Sequence, residues 1–410
     1  MDYVKNLIYL LILSYFVTNF IDRDISNIFL VILLAISIFN ALRTQVTLCI
    51  YEKYIFTTVF LLILYLIIYT LFFQTSFSDI DNYSRFLILI PMYLLFKDFR
   101  LSYETFSDGV RICSLLIAGT FIFNYVVYGN IEHFINLASV KITIAGLLMT
   151  VLLLLIFDTV REKTSALTKL INILLIVFLS ILISKIQTRG VYIGLLLALI
   201  PLILYIKNNL WSFKSKVTIG IFLVSLFGVL YLNSAFDRFS GMTSVKLTEN
   251  NQPLSIMSII NNTEESSARS RLYYYYLSIT TLYENPMIGL GSRKFEDVLE
   301  DAVRYDDELS SFIHIHDHPH NQFIDISVNY GLIGLVLFIA IIFLLYSALI
   351  MKGQKNEYSY IGCIILFTNV GYMLTQSIFS HSQGSTFFII LLYLALANST
   401  ERSRLHQSIK

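Results

Sequence analysis

Two residue types in this chain are placed where they could do chemistry. Four of its seven histidines stand at alternate positions, His314, His316, His318 and His320, and Asn321 follows at once. Imidazole can accept a proton near neutral pH or ligate a metal. Alternate spacing would set the four rings on one side of an extended strand, where they could bind zinc or another divalent ion. Asp317 and Asp325 could then add oxygen ligands. Pro319 points elsewhere, because proline suits the first turn of a helix. On that reading His320 lies in the first turn of the apolar helix that follows. The positive helix end and nearby arginines would then favour the neutral, proton-accepting ring. A third reading leaves His314 and His316 as solvated loop residues.

The elements around this stretch must be membrane helices. Of 410 residues, 56% are apolar and 14% charged, with a mean hydropathy of +0.70. A soluble domain is about a quarter charged. Many uncharged windows are long enough to cross the hydrocarbon core, and backbone that meets lipid must be helical. The chain therefore reads as an all-α polytopic membrane protein. About twelve spans are predicted, near 5–21, 26–42, 55–73, 84–96, 109–128, 139–157, 167–184, 189–206, 216–232, 327–350, 359–379 and 384–399. The run 6–20 lacks a small-residue cleavage site and reads as a retained first span. Three scattered cysteines predict no disulfide framework. A net charge of +1 gives no reason to expect nucleic acid.

Basic residues set the orientation. One set of loops carries 17 Lys/Arg, the opposite short loops carry 5, and the remaining 7 lie in one long loop. The richer side is expected to be cytoplasmic, with both termini there. Three regions follow: spans one to nine over 1–232, a large outer loop over 233–325, and spans ten to twelve with a short tail over 326–410. Within the loop, 266–284 reads as a helix ended by Asn285-Pro286, with Leu272, Tyr275, Tyr276 and Ile279 on one stripe. Its four tyrosines, 273–276, suit either a helix at the membrane interface or the loop's own small core.

The outer face still carries cations that topology disfavours. They are Arg85, Lys141, Lys185 and Arg189 at span ends, and Arg269, Arg271 and Arg293 in the loop. Any one could snorkel or meet a lipid headgroup. Together they suggest an anionic ligand, since guanidinium offers a planar fork of donors suited to phosphate. Arg189 starts span eight and Arg271 lies in the first turns of the loop helix, so helix amino ends would assist. Gly331 and Gly334, one turn apart, would let span ten pack closely.

The pattern His320-Asn321, nine residues, Gly331-x-x-Gly334 resembles the signature of the O-antigen ligase family. That family also contains O-antigen polymerases and protein O-oligosaccharyltransferases. Gln187-Thr188-Arg189-Gly190 resembles its short outer hairpin. Ser270-Arg271-Leu272 with Asn285-Pro286-x-x-Gly289-x-Gly291 resembles a further segment. The resemblance implies a membrane-embedded, GT-C-like glycosyltransferase of the bacterial inner membrane, acting on the periplasmic face without metal or other cofactor. The donor would be a glycan on undecaprenyl diphosphate. Arg189 and Arg271 would bind the diphosphate, with Lys185 and Arg269 beside them. His320 would activate or orient the acceptor hydroxyl, and the expected outcome is inversion. Asn321, Gly331, Gly334, Arg85 and Arg293 would support the site.

A ligase would deliver the assembled glycan to lipid A–core oligosaccharide. The alternatives are an O-antigen or capsule polymerase, a protein O-oligosaccharyltransferase, and a lipid-linked glycan transporter. A transporter should carry polar residues at mid-membrane, whereas the notable charges here gather at the outer edge. Membrane lipids are partners on every reading. If the histidines work without a metal, glycan transfer by purified protein should be unchanged after chelation. A loss of transfer restored by zinc would instead favour the metal-site reading.

Overall fold

The computed structural model describes residues 2–129, 141–161, 163–186, 188, 190–209, 220, 260, 263, 266–292, 294–304, 307–310, 313, 318–351 and 356–399. Their regular structure is helical. In chain order the helices are α1 (Asp2–Thr18), α2 (Arg23–Arg43), α3 (Ile50–Phe73), α4 (Asp81–Ile88), α5 (Ile90–Asp98), α6 (Tyr103–Tyr128), α7 (Lys141–Val160), α8 (Ala166–Ile186) and α9 (Gly190–Asn209). There follow α10 (Ser266–Glu284), α11 (Lys294–Arg304), α12 (Asp307–Ser310), α13 (Gln322–Met351), α14 (Glu357–Met373) and α15 (Ser382–Ser399). Eight helices among the described residues are long and apolar enough to cross a membrane: α2, α3, α6, α7, α8, α9, α13 and α15. The chain is thus a polytopic, all-helical membrane protein. The predicted span 216–232 lies outside the described residues.

Two predicted spans take a different form. The fourth is split into α4 and α5 at Leu89, with Pro91 in the first turn of α5. Proline has no N–H and its ring clashes with the preceding turn, so it favours the start of a new helix. The eleventh stops at Met373, and the connection 374–381 turns across the amino end of α13. α7 is buried on every side, whereas the equally apolar α2 and α8 leave most of their surface unburied by protein.

The loop helix runs from Ser266 to Glu284, over the residues the sequence pattern outlined. Its buried face is not the predicted stripe. Leu272 and Ile279 are exposed, while Tyr273 and Tyr274 pack with Phe295, Leu299 and Val328 in a second, smaller core. All four tyrosines serve the loop's own packing, Tyr273 and Tyr274 buried in this core and Tyr275 and Tyr276 partly buried against it.

α13 is the helix on which the site is built, and it is broken near its start. Gly331 has φ 66° and ψ −172°, far from helical values. A break frees backbone donors and acceptors that lipid cannot satisfy. The segment Asn285-Pro286-x-x-Gly289-x-Gly291 satisfies them. Leu290 N–H donates to Val328 C=O (2.8 Å) and Gly291 N–H to Asn329 C=O (3.2 Å). Beyond the break, Leu332 N–H donates to Pro286 C=O (2.9 Å) and Ile333 N–H to Met287 C=O (3.4 Å). The Tyr65 hydroxyl donates to Tyr330 C=O (2.7 Å). Each group left buried and unpaired would cost about 1–3 kcal/mol. Two separate sequence motifs thus form one backbone joint.

The joint leaves no room for a side chain. A Cβ on Gly331 would lie 2.2 Å from the Met287 carbonyl oxygen, and one on Gly289 would lie 2.4 Å from that of Val328. The role inferred for Gly331 from the sequence, close helix packing, is corrected: it permits a break and a backbone-to-backbone contact. Gly331→Ala should lower stability by roughly 2 kcal/mol or more, from left-handed strain plus the clash. Gly119→Ala, in open space on α6, should be neutral or slightly stabilising. Thermal unfolding in one detergent checks both.

Candidate active site

The amino end of α13 is capped by its own sequence. Asn321 Oδ1 accepts from Phe323 N–H (3.0 Å) and Ile324 N–H (3.2 Å), the pattern of an N-cap. The Asn321 side-chain amide also donates to Leu374 C=O (3.0 Å). One residue deeper, Gln322 accepts from Phe379 N–H (2.7 Å) and donates to the Tyr83 hydroxyl (2.9 Å). The connection 374–381 is therefore fastened to α13 on both sides of Gln376.

His320 lies just before this cap, not in the first helical turn as the sequence suggested. Its backbone is left-handed, with φ 56°. A bulky residue there costs of order 1 kcal/mol and is retained where the surroundings hold it. His320 Nδ1 lies 3.2 Å from Gln376 Oε1. If the amide oxygen accepts, Nδ1 carries the proton and Nε2 is the basic nitrogen. The ring lies 4.7 Å from that of His318 and 6.0 Å from that of Tyr274, centroid to centroid. His318 is buried and its ring is 5.8 Å from that of His381. Three imidazoles thus gather, though only two come from the run seen in the sequence. Among the described residues no group of three or more His, Cys, Asp or Glu is arranged to hold a metal ion. His314, His316 and Asp317 lie outside the described residues. Asp325 turns inward: it is 4% exposed and accepts from Asn329 Nδ2 (2.9 Å) and Gln322 Nε2 (3.3 Å).

The cations are distributed unevenly around this centre. Arg271 sits one turn before Tyr274 and Tyr275 on α10, so it shares the face that meets His320. Burial raises the Tyr275 phenol above its ordinary range, while the Arg271 charge and a hydrogen bond with Asn321 pull it down. The Arg271 charge also reaches Tyr372 at the end of α14. Arg269, two residues earlier, points about 160° away around the same helix. Lys185 is exposed in the last turn of α8. Arg189 and Arg293 lie outside the described residues. Gly190, directly after Arg189, starts α9 hard against the same connection. A Cβ there would lie 2.1 Å from Thr375 Oγ1. Arg85 is occupied elsewhere: it pairs with Asp81 (2.7 Å) and donates to Ser382 C=O (2.7 Å) and to Thr386, clamping α4 to the amino end of α15.

Sequence reasoning missed Gln376, His381 and Tyr372, and named Tyr274 only as one of four loop tyrosines. Nothing in local spacing marks Gln376 or His381, because 374–381 reaches His320 only through the tertiary fold. A small cavity lined by Gln376, His381 and Tyr372 continues beneath the imidazoles toward Thr143 and Gly146 of α7.

Comparison with known proteins gives two matches. A family described as O-antigen ligase matches residues 173–339. A Haemophilus influenzae protein described as uncharacterized is 23% identical over 322 residues, spanning 76% of this chain and 77% of its own length. The family segment contains all three sequence motifs and the broken start of α13.

Gln376 can be separated from His320 by experiment. Gln376→Leu should slow glycan transfer about tenfold by releasing the ring. Gln376→Glu should move the acidic limb of the pH–rate profile to higher pH, because a carboxylate beside imidazole favours the protonated form. Profiles that overlay the parent would show that Gln376 does not position the histidine.

Proposed function

We propose that this protein is an O-antigen ligase, on the premise that residues 173–339, which hold Arg189, Arg271 and His320, match the O-antigen ligase family. It moves an assembled polysaccharide from undecaprenyl diphosphate to lipid A–core oligosaccharide, on the periplasmic face of a bacterial inner membrane. About twelve spans in a GT-C-like arrangement, with both termini cytoplasmic, would hold the site at that face. The observation that carries this reading is one of convergence. His320 meets Gln376 of the connection 374–381, the residue after Arg189 packs against Thr375 of the same connection, and Arg271 lies one turn before Tyr274, whose ring faces His320.

In the proposed reaction the acceptor hydroxyl attacks the anomeric carbon while the bond from that carbon to the diphosphate oxygen breaks. The hydroxyl proton passes to His320 Nε2, the basic nitrogen when Gln376 holds Nδ1–H. Negative charge growing on the lipid diphosphate is met by Arg271 and Arg189, with Lys185 at the rim. A single displacement inverts the anomeric centre. No step requires a metal. A polymerase would use the same donor and groups with a growing glycan as acceptor.

Deletion of the gene followed by lipopolysaccharide electrophoresis tests the assignment. Loss of a ligase leaves bare core while lipid-linked polymer accumulates. Core bearing a single repeat would establish the polymerase instead. His320→Ala and Arg271→Ala should insert normally and lose transfer by about a hundredfold or more. His320→Gly should unfold no earlier than the parent, since glycine relaxes the left-handed backbone, and should be equally inactive. Normal transfer by purified His320→Ala protein would remove this residue from the mechanism.

A further inference from the structure

One apolar surface close to the candidate site faces outward. Among the described residues of 266–310, the exposed large apolar side chains are Leu272, Ile279, Tyr283, Met287 and Ile288. All lie on α10 or just after it, and four of them gather at its carboxyl end. Ile279 (64% exposed) and Tyr283 (88%) are one turn apart on one side of the helix. Glu284 points about 100° further round, away from that stripe. α11 shares the same small core through Phe295 and Leu299, yet its outward residues are Lys294, Asp297, Glu300, Asp301 and Arg304. α11 thus presents a charged face suited to water, and the carboxyl end of α10 does not.

The joint at Gly331 sets the height of this surface. The stretch 332–351 carries no charge and, at 1.5 Å per residue, is about 30 Å long, the thickness of the hydrocarbon core. The hydrocarbon edge therefore falls near Leu332. Leu332, Val336, Ile339 and Phe343 are exposed along one side of α13, as lipid-facing side chains of a span would be. Pro286 and Met287 accept backbone hydrogen bonds from Leu332 and Ile333. Met287 and Ile288 therefore prolong that lipid-facing strip at the edge itself. Tyr283 and Ile279 stand about one and two turns further out, where amphipathic aromatic rings concentrate. From there α10 leads back to Tyr274, whose ring lies 6.0 Å from that of His320.

We propose that the carboxyl end of α10 is seated in the bilayer leaflet on the face that carries His320, with Met287 and Ile288 at the hydrocarbon edge and Tyr283 among the headgroups. Lipid would then hold one end of the helix that brings Tyr274 to the histidine. The proposal is independent of the ligase reading and uses no residue assigned to glycan transfer.

Single tryptophans measure the depth of this surface. The chain's one native tryptophan is removed by Trp211→Phe, and Tyr283→Trp, Ile288→Trp or Glu300→Trp is added to the full-length protein in phosphatidylcholine nanodiscs. With brominated acyl chains, the Tyr283→Trp and Ile288→Trp proteins should lose roughly half or more of their emission, as expected for an apolar face about 5–10 Å into the headgroup and acyl boundary. Glu300→Trp, on the charged face of α11, should be unaffected. Iodide in the water should quench in the reverse order. Bromolipid quenching at positions 283 and 288 no greater than at 300 would overturn the proposal. Protection of 283 and 288 from iodide without bromolipid quenching would also overturn it, because a second copy of the chain would then cover the surface. Thermal unfolding beside the Trp211→Phe parent confirms that each variant keeps its fold, and Met287→Trp replaces Ile288→Trp if the latter unfolds early.

Discussion

The structure depends on how a membrane protein can break a helix. Lipid offers no hydrogen bonds, so a break survives only if other protein groups receive the freed backbone. Here the receiver is the Pro286-to-Gly291 backbone, and the exchange is mutual: two N–H groups of that segment donate into α13 and two N–H groups of α13 donate back. Tyr65 completes the set from α3. The geometry needs glycine on both partners, which is why Gly289 and Gly331 face each other with no space between them. A motif that looks like a helix-packing signal is one half of a joint, and the other half lies some forty residues earlier in the chain.

The joint explains why the amino end of α13 is a firm platform. The first turns, between the Asn321 cap and Gly331, are locked at both ends. Their inner side carries a polar ladder: Gln322 to Tyr83 and Phe379 N–H, Asp325 to Asn329, and Tyr330 to Ser292 (3.1 Å). The Gln322 and Tyr330 rungs tie this short helix to other elements, and the Asp325–Asn329 rung braces it internally. Backbone strain at His320 can persist because the residues around it are over-determined. A histidine on a loop free to relax would leave the left-handed region.

Much of this was legible in the sequence, and the rest was hidden for physical reasons. Helix existence follows from apolar runs, and the bounds of α10 follow from Asn285-Pro286 as a stop signal. His320 and Arg271 stood out through residue type and position as candidates. The buried face of α10 was misread because its core is built by α11, α12 and α13, which one helix's periodicity does not report. Gln376 and His381 were invisible because their proximity to His320 is created by the turn after α14. The difference between Arg85 and Arg271 was equally hidden, since both look like unexplained outer-face cations until Asp81 and Ser382 are seen to occupy the first.

The position of Asp325 bears on which group would take a proton. A carboxylate five residues from a candidate catalytic histidine is an obvious choice for the orienting partner of a catalytic pair. In this fold it cannot serve. Gln322 and Asn329 hold its two oxygens, and it faces Tyr83 in the interior of the bundle. The partner actually presented to the His320 ring is a neutral amide, Gln376. An amide fixes the tautomer without stabilising the imidazolium as a carboxylate would. Such a partner orients the ring but gives little help to an imidazolium. That suits the proposed displacement, in which the larger electrostatic task would fall to the arginines. The division of labour proposed for Arg271 and His320 thus rests on which side chain faces inward in the first turn of one broken helix.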